Sequence, residues 1–317
     1  MAEVKGGLEK GQRGEIQQAE HLIETAPESS YGRFLAGSIY LRNGEIDSAR
    51  DQFIRSAELD PSMGAAFSAL GDISAKSGDL DEAEQFYLKA HTIGKTPVTA
   101  NRLALLRIQG GHLDSAREVL SRTLEEYPDD VMTRNNLALA LDMMGKTSEG
   151  IRILDTREVK DPHLLRTRAL LQLKEGRPDR AAADLQSVLD ETSSPEEWLL
   201  MGTADLQRGN LAQAEDKFRS AVAAGTSTHE GYLNLGLTLR RQGRFAEAEK
   251  VYMEGIARAP HPDLHLNLGV LYELYRGNQA QALEQYRKYL LLGGPASDRV
   301  KEWVEYLEGV VENRGGK

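Results

Sequence analysis

Residues 65–90 of this chain read AAFSALGDISAKSGDLDEAEQFYLKA, and this stretch decides the fold. The segment before Gly78 carries small and apolar residues on one face at the helical period: Phe67, Leu70, Gly71 and Ile73. The segment after it carries a second stripe at spacings of four and three: Ala83, Tyr87 and Ala90. Gly78 is suited to end the first helix, and Asp79 is placed to cap the second. The stretch therefore predicts two helices joined by a short turn.

The same order of small and aromatic residues recurs along the chain. Gly37 and Gly71 lie 34 residues apart, and so do Gly202 and Gly236. A repeat of this length is typical of arrays of paired helices, in which each unit packs on its neighbours. Such packing leaves little room for a catalytic pocket, so the repeat favours a binding role.

This pattern resembles the tetratricopeptide repeat, and the resemblance covers nearly the whole chain. It implies an all-α fold, a right-handed superhelical solenoid of antiparallel helix pairs. Within residues 30–295 we expect eight units, at 30–63, 64–96, 97–130, 131–161, 162–194, 195–228, 229–261 and 262–295. In the third to fifth units alanine replaces the first glycine, at Ala104, Ala138 and Ala169. Their turn glycines are kept: Gly111, Gly145 and Gly176.

The N-terminal residues 1–29 are expected to form a partial repeat. Gly14, Ala19, Ile23 and Pro27 look like the second helix of a ninth unit whose first helix is shortened. A chain that begins inside a repeat is expected to be a piece of a longer protein.

The C-terminal segment 296–312 is predicted to be a capping helix, followed by a tail at 313–317. Its apolar residues fall at helical spacing between charged ones: Val300, Trp303, Val304, Leu307 and Val311. Repeat arrays need such a cap, apolar inside and polar outside, to shield the last unit. The alternative interpretation is that the Trp303 face docks a partner.

Composition limits the classes of function. The chain has 317 residues, a formal net charge of -10 and no cysteine. An acidic surface repels phosphate backbones, so we expect no nucleic acid partner. No run of about 18 apolar residues occurs, so we expect no transmembrane segment. The lack of cysteine leaves two compartments open: the cytoplasm or, if a native leader was removed, the periplasm or envelope.

Short motifs typical of nucleotide-binding and catalytic sites are missing from the sequence. It contains no GxGxxG, no phosphate-binding loop and no GxSxG elbow. Of the seven histidines, His261 and His265 have the i, i+4 spacing of metal ligands. His265 takes a position that other units fill with aromatic packing residues, so we interpret it as structural. We therefore expect no catalytic residue, no cofactor, no metal site and no enzymatic activity.

The register of the repeat slips near the middle of the chain. Ala138 and Ala169 are only 31 residues apart, Gly150 stands where alanine is usual, and Arg157 stands where a small residue is usual. One interpretation is sequence drift with a shortened loop. The other is a hinge within 145–162, because a weakly packed interface opens first in a linear array.

In tetratricopeptide arrays the first helices of the units line a concave groove that holds peptides or helices. At the positions that this resemblance indicates, the chain has Asn101, Leu105, Asn135, Leu139, Arg166, Leu170, Lys174, Leu199, Leu233, Leu237, Arg240 and Arg241. The same set also includes Tyr31, Phe34, Leu41, Ile108, Met143, Leu173 and Leu206. Leucines edged by Arg and Lys suit an amphipathic segment with some acidic residues. The alternative is that several of these leucines pack against the neighbouring unit.

The closing stretch NLGVLYELYRGNQAQALEQYRKYLLLGG, residues 267–294, resembles the last repeat of bacterial envelope tetratricopeptide lipoproteins. That resemblance implies a part in assembling a surface machine. We expect a protein–protein interaction scaffold that binds a peptide or helix of a partner in its groove. The alternatives are a chaperone-like carrier of an exported protein, a regulatory subunit of an enzyme on another chain, and self-association through an exposed end.

Overall fold

Helices form throughout the part of the chain that the structure describes. The computed structural model describes residues 2–155, 160–190, 193–225 and 228–315, with side chains from residue 13 to residue 311. Within these ranges there are eighteen α-helices, one π-helical turn and no β-strand. The predicted all-α fold of paired helices is confirmed.

The chain divides into two compact units, Met1–Thr156 and Arg157–Lys317. In its described residues the first unit contains α1 Ala2–Thr25, α2 Ser30–Arg42, α3 Ile46–Leu59, α4 Gly64–Ser77, α5 Leu80–Ile93, α6 Pro97–Gln109, α7 Leu113–Glu126, α8 Val131–Met143 and α9 Thr147–Leu154. The described residues of the second unit form α10 Pro162–Lys174, α11 Pro178–Gln186, α12 Pro195–Arg208, α13 Leu211–Ala223, α14 Glu230–Arg241, α15 Phe245–Arg258, α16 Pro262–Val270, a π-helical turn Leu271–Tyr275, α17 Gln279–Leu291 and α18 Ser297–Gly315. From α2 to α17, even-numbered helices are the first members of pairs and odd-numbered helices the second.

In five helix pairs, a glycine on the first helix packs against an aromatic ring on the second. This contact explains why glycine and an aromatic residue recur at fixed positions of the repeat. A Cβ added to Gly71 would lie 2.5 Å from the ring of Tyr87, and one added to Gly236 would lie 2.3 Å from the ring of Tyr252. Three other pairs show the same close approach: Gly37 with Phe53, Gly202 with Phe218 and Gly269 with Tyr286. Both partners are buried, because the absent side chain lets the ring fill the space between the helices.

In the third to fifth repeats both members of the glycine–aromatic pair are replaced together, which was not predicted from the sequence. Ala104 is followed sixteen residues later by Leu120, and Ala169 is followed at the same spacing by Leu185. Ala138 and Leu154 form the third such pair. All six side chains are fully buried. A leucine is smaller than an aromatic ring, so it leaves room for the methyl group that alanine adds, and the volume of the pair is preserved.

The turns between paired helices form as predicted. Gly78 ends α4 with a φ of 83°, in the left-handed region that favours glycine, and Asp79 accepts a hydrogen bond from the backbone N–H of Glu82. Each turn reverses the chain within three residues, which places the second helix against the first.

The first helix differs from the expected partial repeat. α1 runs unbroken over Ala2–Thr25, so no separate shortened helix occurs within those residues. No proline precedes Pro27 in the sequence, and α1 ends at Thr25, two residues before it. Fully buried Ala19 packs with Ala36 and Ile39 of α2.

α18 covers the end of the second unit. Val300, Val304 and Leu307 are buried against α17, and the ring of Trp303 lies 5.5 Å from that of Tyr286. This packing is what a capping helix requires. It also occupies one side of Trp303, which the alternative interpretation assigned to a partner.

The segment with the slipped register lies where the two units meet in sequence. α9 is only eight residues long and ends at Leu154. Arg157 lies outside the described residues. The hinge within 145–162 therefore stays a prediction.

Candidate functional site

Exposed apolar side chains line the free side of α6 and α8. Val98 and Leu105 on α6 are 60% and 44% exposed, and Met132 and Met143 on α8 are 54% and 57% exposed. Leu139 lies half-buried between the two methionines. We call these five residues the first-helix face of unit 1, where unit 1 is the compact unit Met1–Thr156 and not a single repeat. Their spacings of seven and eleven residues keep them on one side of each helix, while the other side packs into the core.

A hollow of about 570 Å³ adjoins this face between α2, α4 and α6. Phe34 and Val98 line it together with the small residues Ala65 and Ala69. The small side chains of α4 leave the space open. The hollow is large enough for one or two apolar side chains of a ligand.

The charged groups beside the hollow are paired within the protein. Arg102 lies 2.9 Å from Asp72 and donates to the hydroxyl of Ser68, and the hydroxyl of Tyr87 donates to Asp72 at 2.7 Å. Burial raises the pKa of Tyr87 well above its usual value, and the hydrogen bond to Asp72 adds to that shift. Because these groups satisfy one another, the hollow offers a mainly apolar surface to a ligand.

Asn101 does not belong to the exposed surface. Its side chain is 8% exposed, donates to the hydroxyl of Thr133 at 3.0 Å and accepts from Asn136 at 2.9 Å. The amide links α6 to α8, which is a structural role. Asn135, one residue away from this network, is half-buried and has a partner of its own. We leave Asn101 out of the proposed binding surface.

Unit 2 has a comparable face on its first helices. Leu170 of α10, Leu199 of α12, and Leu233 and Leu237 of α14 are half-buried. Leu199, Leu233 and Leu237 pack against the core of this unit, which fits the alternative that such leucines support neighbouring helices. Leu274 in the π-helical turn is 67% exposed.

The basic residues predicted to edge the groove have different environments. Arg166 is half-buried and lies 3.3 Å from Glu197. The guanidinium of Arg240 lies 5.7 Å from the ring centroid of Tyr275, a cation–π contact. Lys174 and Arg241 are exposed.

Two further sequence predictions were wrong. Leu173 is 6% exposed and Leu206 is 9% exposed, so both belong to the core and not to a groove. Conversely, the hollow beside α4 was not predicted from the sequence. The run of small residues at Gly64, Ala65 and Ala69 on a first helix was the signal that could have indicated it.

The i, i+4 histidines are not brought together. His265 is buried, and its Nδ1 lies 2.8 Å from the side-chain oxygen of Gln285. The ring of His261 instead stacks on that of His229, with ring centroids 3.4 Å apart. The structural interpretation of His265 thus agrees with its contacts.

Membrane-spanning helices are not found among the described residues, where no helix is both long enough and apolar enough to cross a bilayer.

Comparison with protein families identifies the repeat. The family model described as tetratricopeptide repeat matches residues 34–95, 101–156, 166–229, 199–261 and 233–298. These ranges cover more than half of the chain. Among curated proteins, a TPR repeat-containing protein of Methanocaldococcus jannaschii is 23% identical over 153 residues. The match covers 45% of this chain and 26% of that protein, so the chain spans about a quarter of that relative.

Solved structures share the fold at low sequence identity. The APC/C hetero-tetramer Cut9–Hcn1 aligns with a TM-score of 0.61 and 14% identity, over 93% of this chain and 58% of the matched chain. A monomeric mutant of IFIT1 with Gppp-AAAA aligns with a TM-score of 0.60 and 17% identity, over 89% of this chain and 73% of the matched chain. At these identities the likeness shows the fold alone.

Proposed function

The chain belongs to the tetratricopeptide repeat family, and from this premise we propose that it is a non-enzymatic scaffold that binds a peptide or helix of a partner protein. The first-helix face of unit 1 is the observation that carries the proposal. Its four clearly exposed side chains, Val98, Leu105, Met132 and Met143, lie on neighbouring helices that pack together. Exposed apolar side chains that cluster in this way mark interaction sites more often than isolated ones do.

The chemistry of this face suits an amphipathic helix or an extended segment with apolar anchors. Anchors on a ligand helix recur every three to four residues and need an apolar strip with a deeper pocket along it. The hollow beside α4 supplies the pocket. Met132 and Met143 are flexible and polarisable, so this part of the strip adapts to the shape of a ligand.

A protein ligand is favoured over a nucleic acid. The IFIT1 structure contains Gppp-AAAA, but the present chain carries a net charge of -10. Binding a polyanion depends on displacing counterions with a basic surface. In the described part of unit 1, Arg102, which borders the hollow, is already paired with Asp72.

Partner binding should be lost when charge is placed on the first-helix face. We predict that Leu105→Asp with Met143→Asp weakens binding at least about tenfold, because two apolar contacts become buried charges. Both residues are exposed, so the helix content seen by circular dichroism should not change. The measurement is an affinity pull-down from native lysate and membrane extract, with mass spectrometry.

The matched control places the same charge on a second helix. Leu88 of α5 is 47% exposed, close to the value for Leu105. Leu88→Asp should keep the partner that the double variant loses. Equal retention of the partner by the wild type and the double variant would move the binding site elsewhere.

The finer part of the proposal is a role in assembling a bacterial envelope machine. Its support is the resemblance of residues 267–294 to the closing repeat of envelope lipoproteins. The same pull-down tests it: one envelope-machine component bound by the wild type supports assembly. Many unrelated unfolded chains in its place would support the carrier alternative.

A further inference from the structure

Two histidines at the N-terminal ends of successive first helices, α14 and α16, stack on each other in the second unit. His229 directly precedes α14 and His261 directly precedes α16. Their rings are 3.4 Å apart and inclined by 6°. They lie 32 residues apart in the sequence, so their proximity depends on the repeat and not on a local motif.

Two carboxylates, those of Glu230 and Asp263, lie beside the stacked imidazoles. One ligand atom each from His229, His261 and Asp263 lie within 4.8 Å of one another. The carboxylate of Glu230 lies 3.6 Å from Nδ1 of His229, and that of Asp263 lies 3.7 Å from Nδ1 of His261. Two imidazoles with carboxylates form a donor set that suits a divalent transition metal.

The charges around the group permit a cation. Glu230 and Asp263 would balance the two charges of a metal ion when both are ionised. The N-terminal ends of α14 and α16 carry partial positive charge and oppose a cation. Arg258, which borders the same surface hollow, is paired with Glu254 at 3.1 Å.

Ligation requires a small rearrangement. Zinc binds imidazole nitrogens at about 2.0–2.1 Å in tetrahedral geometry, which separates two such nitrogens by about 3.3 Å. The ring centroids are 3.4 Å apart, and one ligand nitrogen of each ring lies within 4.8 Å of the other. Parallel rings do not aim both lone pairs at one point, so one imidazole must rotate about its Cβ–Cγ bond. The side chain of His261 is 36% exposed, which leaves it room to turn, but turning breaks the hydrogen bond that its Nδ1 accepts from the backbone N–H of Asp263.

We propose that His229, His261 and Asp263 bind a divalent transition-metal ion, with zinc as the best fit, and that Glu230 or water completes the coordination. The ion would join the N-terminal ends of α14 and α16. This site lies apart from the first-helix face of unit 1 and does not depend on the proposed function.

Isothermal titration calorimetry with zinc chloride tests the site on the full chain, freed of metal by chelator and carrying no polyhistidine tag. We expect one zinc ion per chain. His229→Gln and His261→Gln should each weaken zinc binding at least about tenfold, since each removes one nitrogen ligand. Zinc should also raise the melting temperature of the wild type and leave that of the two variants unchanged.

His163→Gln is the matched control, because His163 is an exposed histidine that follows Pro162 at the start of α10. It should bind zinc as the wild type does. Circular dichroism shows whether each variant is folded. No zinc binding by the wild type, or unchanged zinc binding by both folded variants, would overturn the proposal.

Discussion

At Gly236 the absence of a side chain is a steric requirement. The nearest atom of the Tyr252 ring is 2.3 Å from where a Cβ would stand, and Tyr252 is fully buried. Real Cβ atoms do not approach another heavy atom this closely, so either the ring or α14 must shift. Gly309 on α18 has no such neighbour, since nothing lies within 4 Å of its hypothetical Cβ.

We predict that Gly236→Ala destabilises the protein while Gly309→Ala does not. Overpacking costs about 1–3 kcal/mol, which exceeds the gain of about 0.5–1 kcal/mol that alanine brings to a helix interior. At Gly309 only that gain remains. Urea denaturation of both variants measures the difference. Equal midpoints would show that the ring moves aside freely and that the glycine is not needed for packing.

In the second unit, the ionised carboxylate of Glu215 is stabilised by hydrogen bonds. Its side chain is 11% exposed and lies 2.8 Å from Arg219 and 2.5 Å from Arg244. Burial alone would raise its pKa, but hydrogen bonds from Arg219, Gln242 and Arg244 outweigh burial, and the pKa falls below 4.5. The folded state therefore favours the ionised form more than the unfolded state does.

The sign of the pH dependence follows from that difference. A carboxyl with a lowered folded pKa contributes stability above its unfolded value of 4.5 and loses it as the pH falls through the folded value. We predict that acid lowers the urea midpoint of the wild type more steeply than that of Glu215→Gln. Glu284→Gln, at an exposed pair with Lys288, should behave as the wild type. Parallel curves for all three proteins would refute the assignment.

Among the elements, α18 shows how one amphipathic helix shields an apolar end. Leu307 is 1% exposed and the neighbouring Tyr306 is 68% exposed. We predict that Leu307→Ala costs about 2–5 kcal/mol of unfolding free energy, whereas Tyr306→Ala changes it by no more than about 0.5 kcal/mol. Hydrogen exchange should report the loss first in α17, on which α18 packs. If both variants destabilise equally, α18 does not act as a cap.

The helices and turns could be predicted from the sequence because the residues that determine them lie within one helix pair. The stripe of Ala83, Tyr87 and Ala90 and the turn at Gly78 depend only on residues within one helix pair. The exposed side of a first helix is harder to predict, because it depends on how the next pair is placed. Leu105 is exposed, and its place in a binding groove stays a prediction, while Leu173 and Leu206 proved to be core residues.

At the scale of the whole molecule, the candidate sites depend on contacts between units of the repeat. The hollow beside α4 forms from α2, α4 and α6, and the histidine group forms from the starts of α14 and α16. No single repeat contains either arrangement. Sequence periodicity predicts that such residues occupy equivalent positions, but not which of them face a common space.

The proposed function requires that the first-helix face of unit 1 binds a partner protein. Site-specific photocrosslinking in the native host tests it most directly, with p-benzoylphenylalanine placed at position 105 or, as the matched control, at position 88. Both positions are similarly exposed, at 44% and 47%, so accessibility alone does not separate them. We predict a discrete crosslinked partner from position 105 and none from position 88. Crosslinking from position 88 with none from position 105 would contradict the claim.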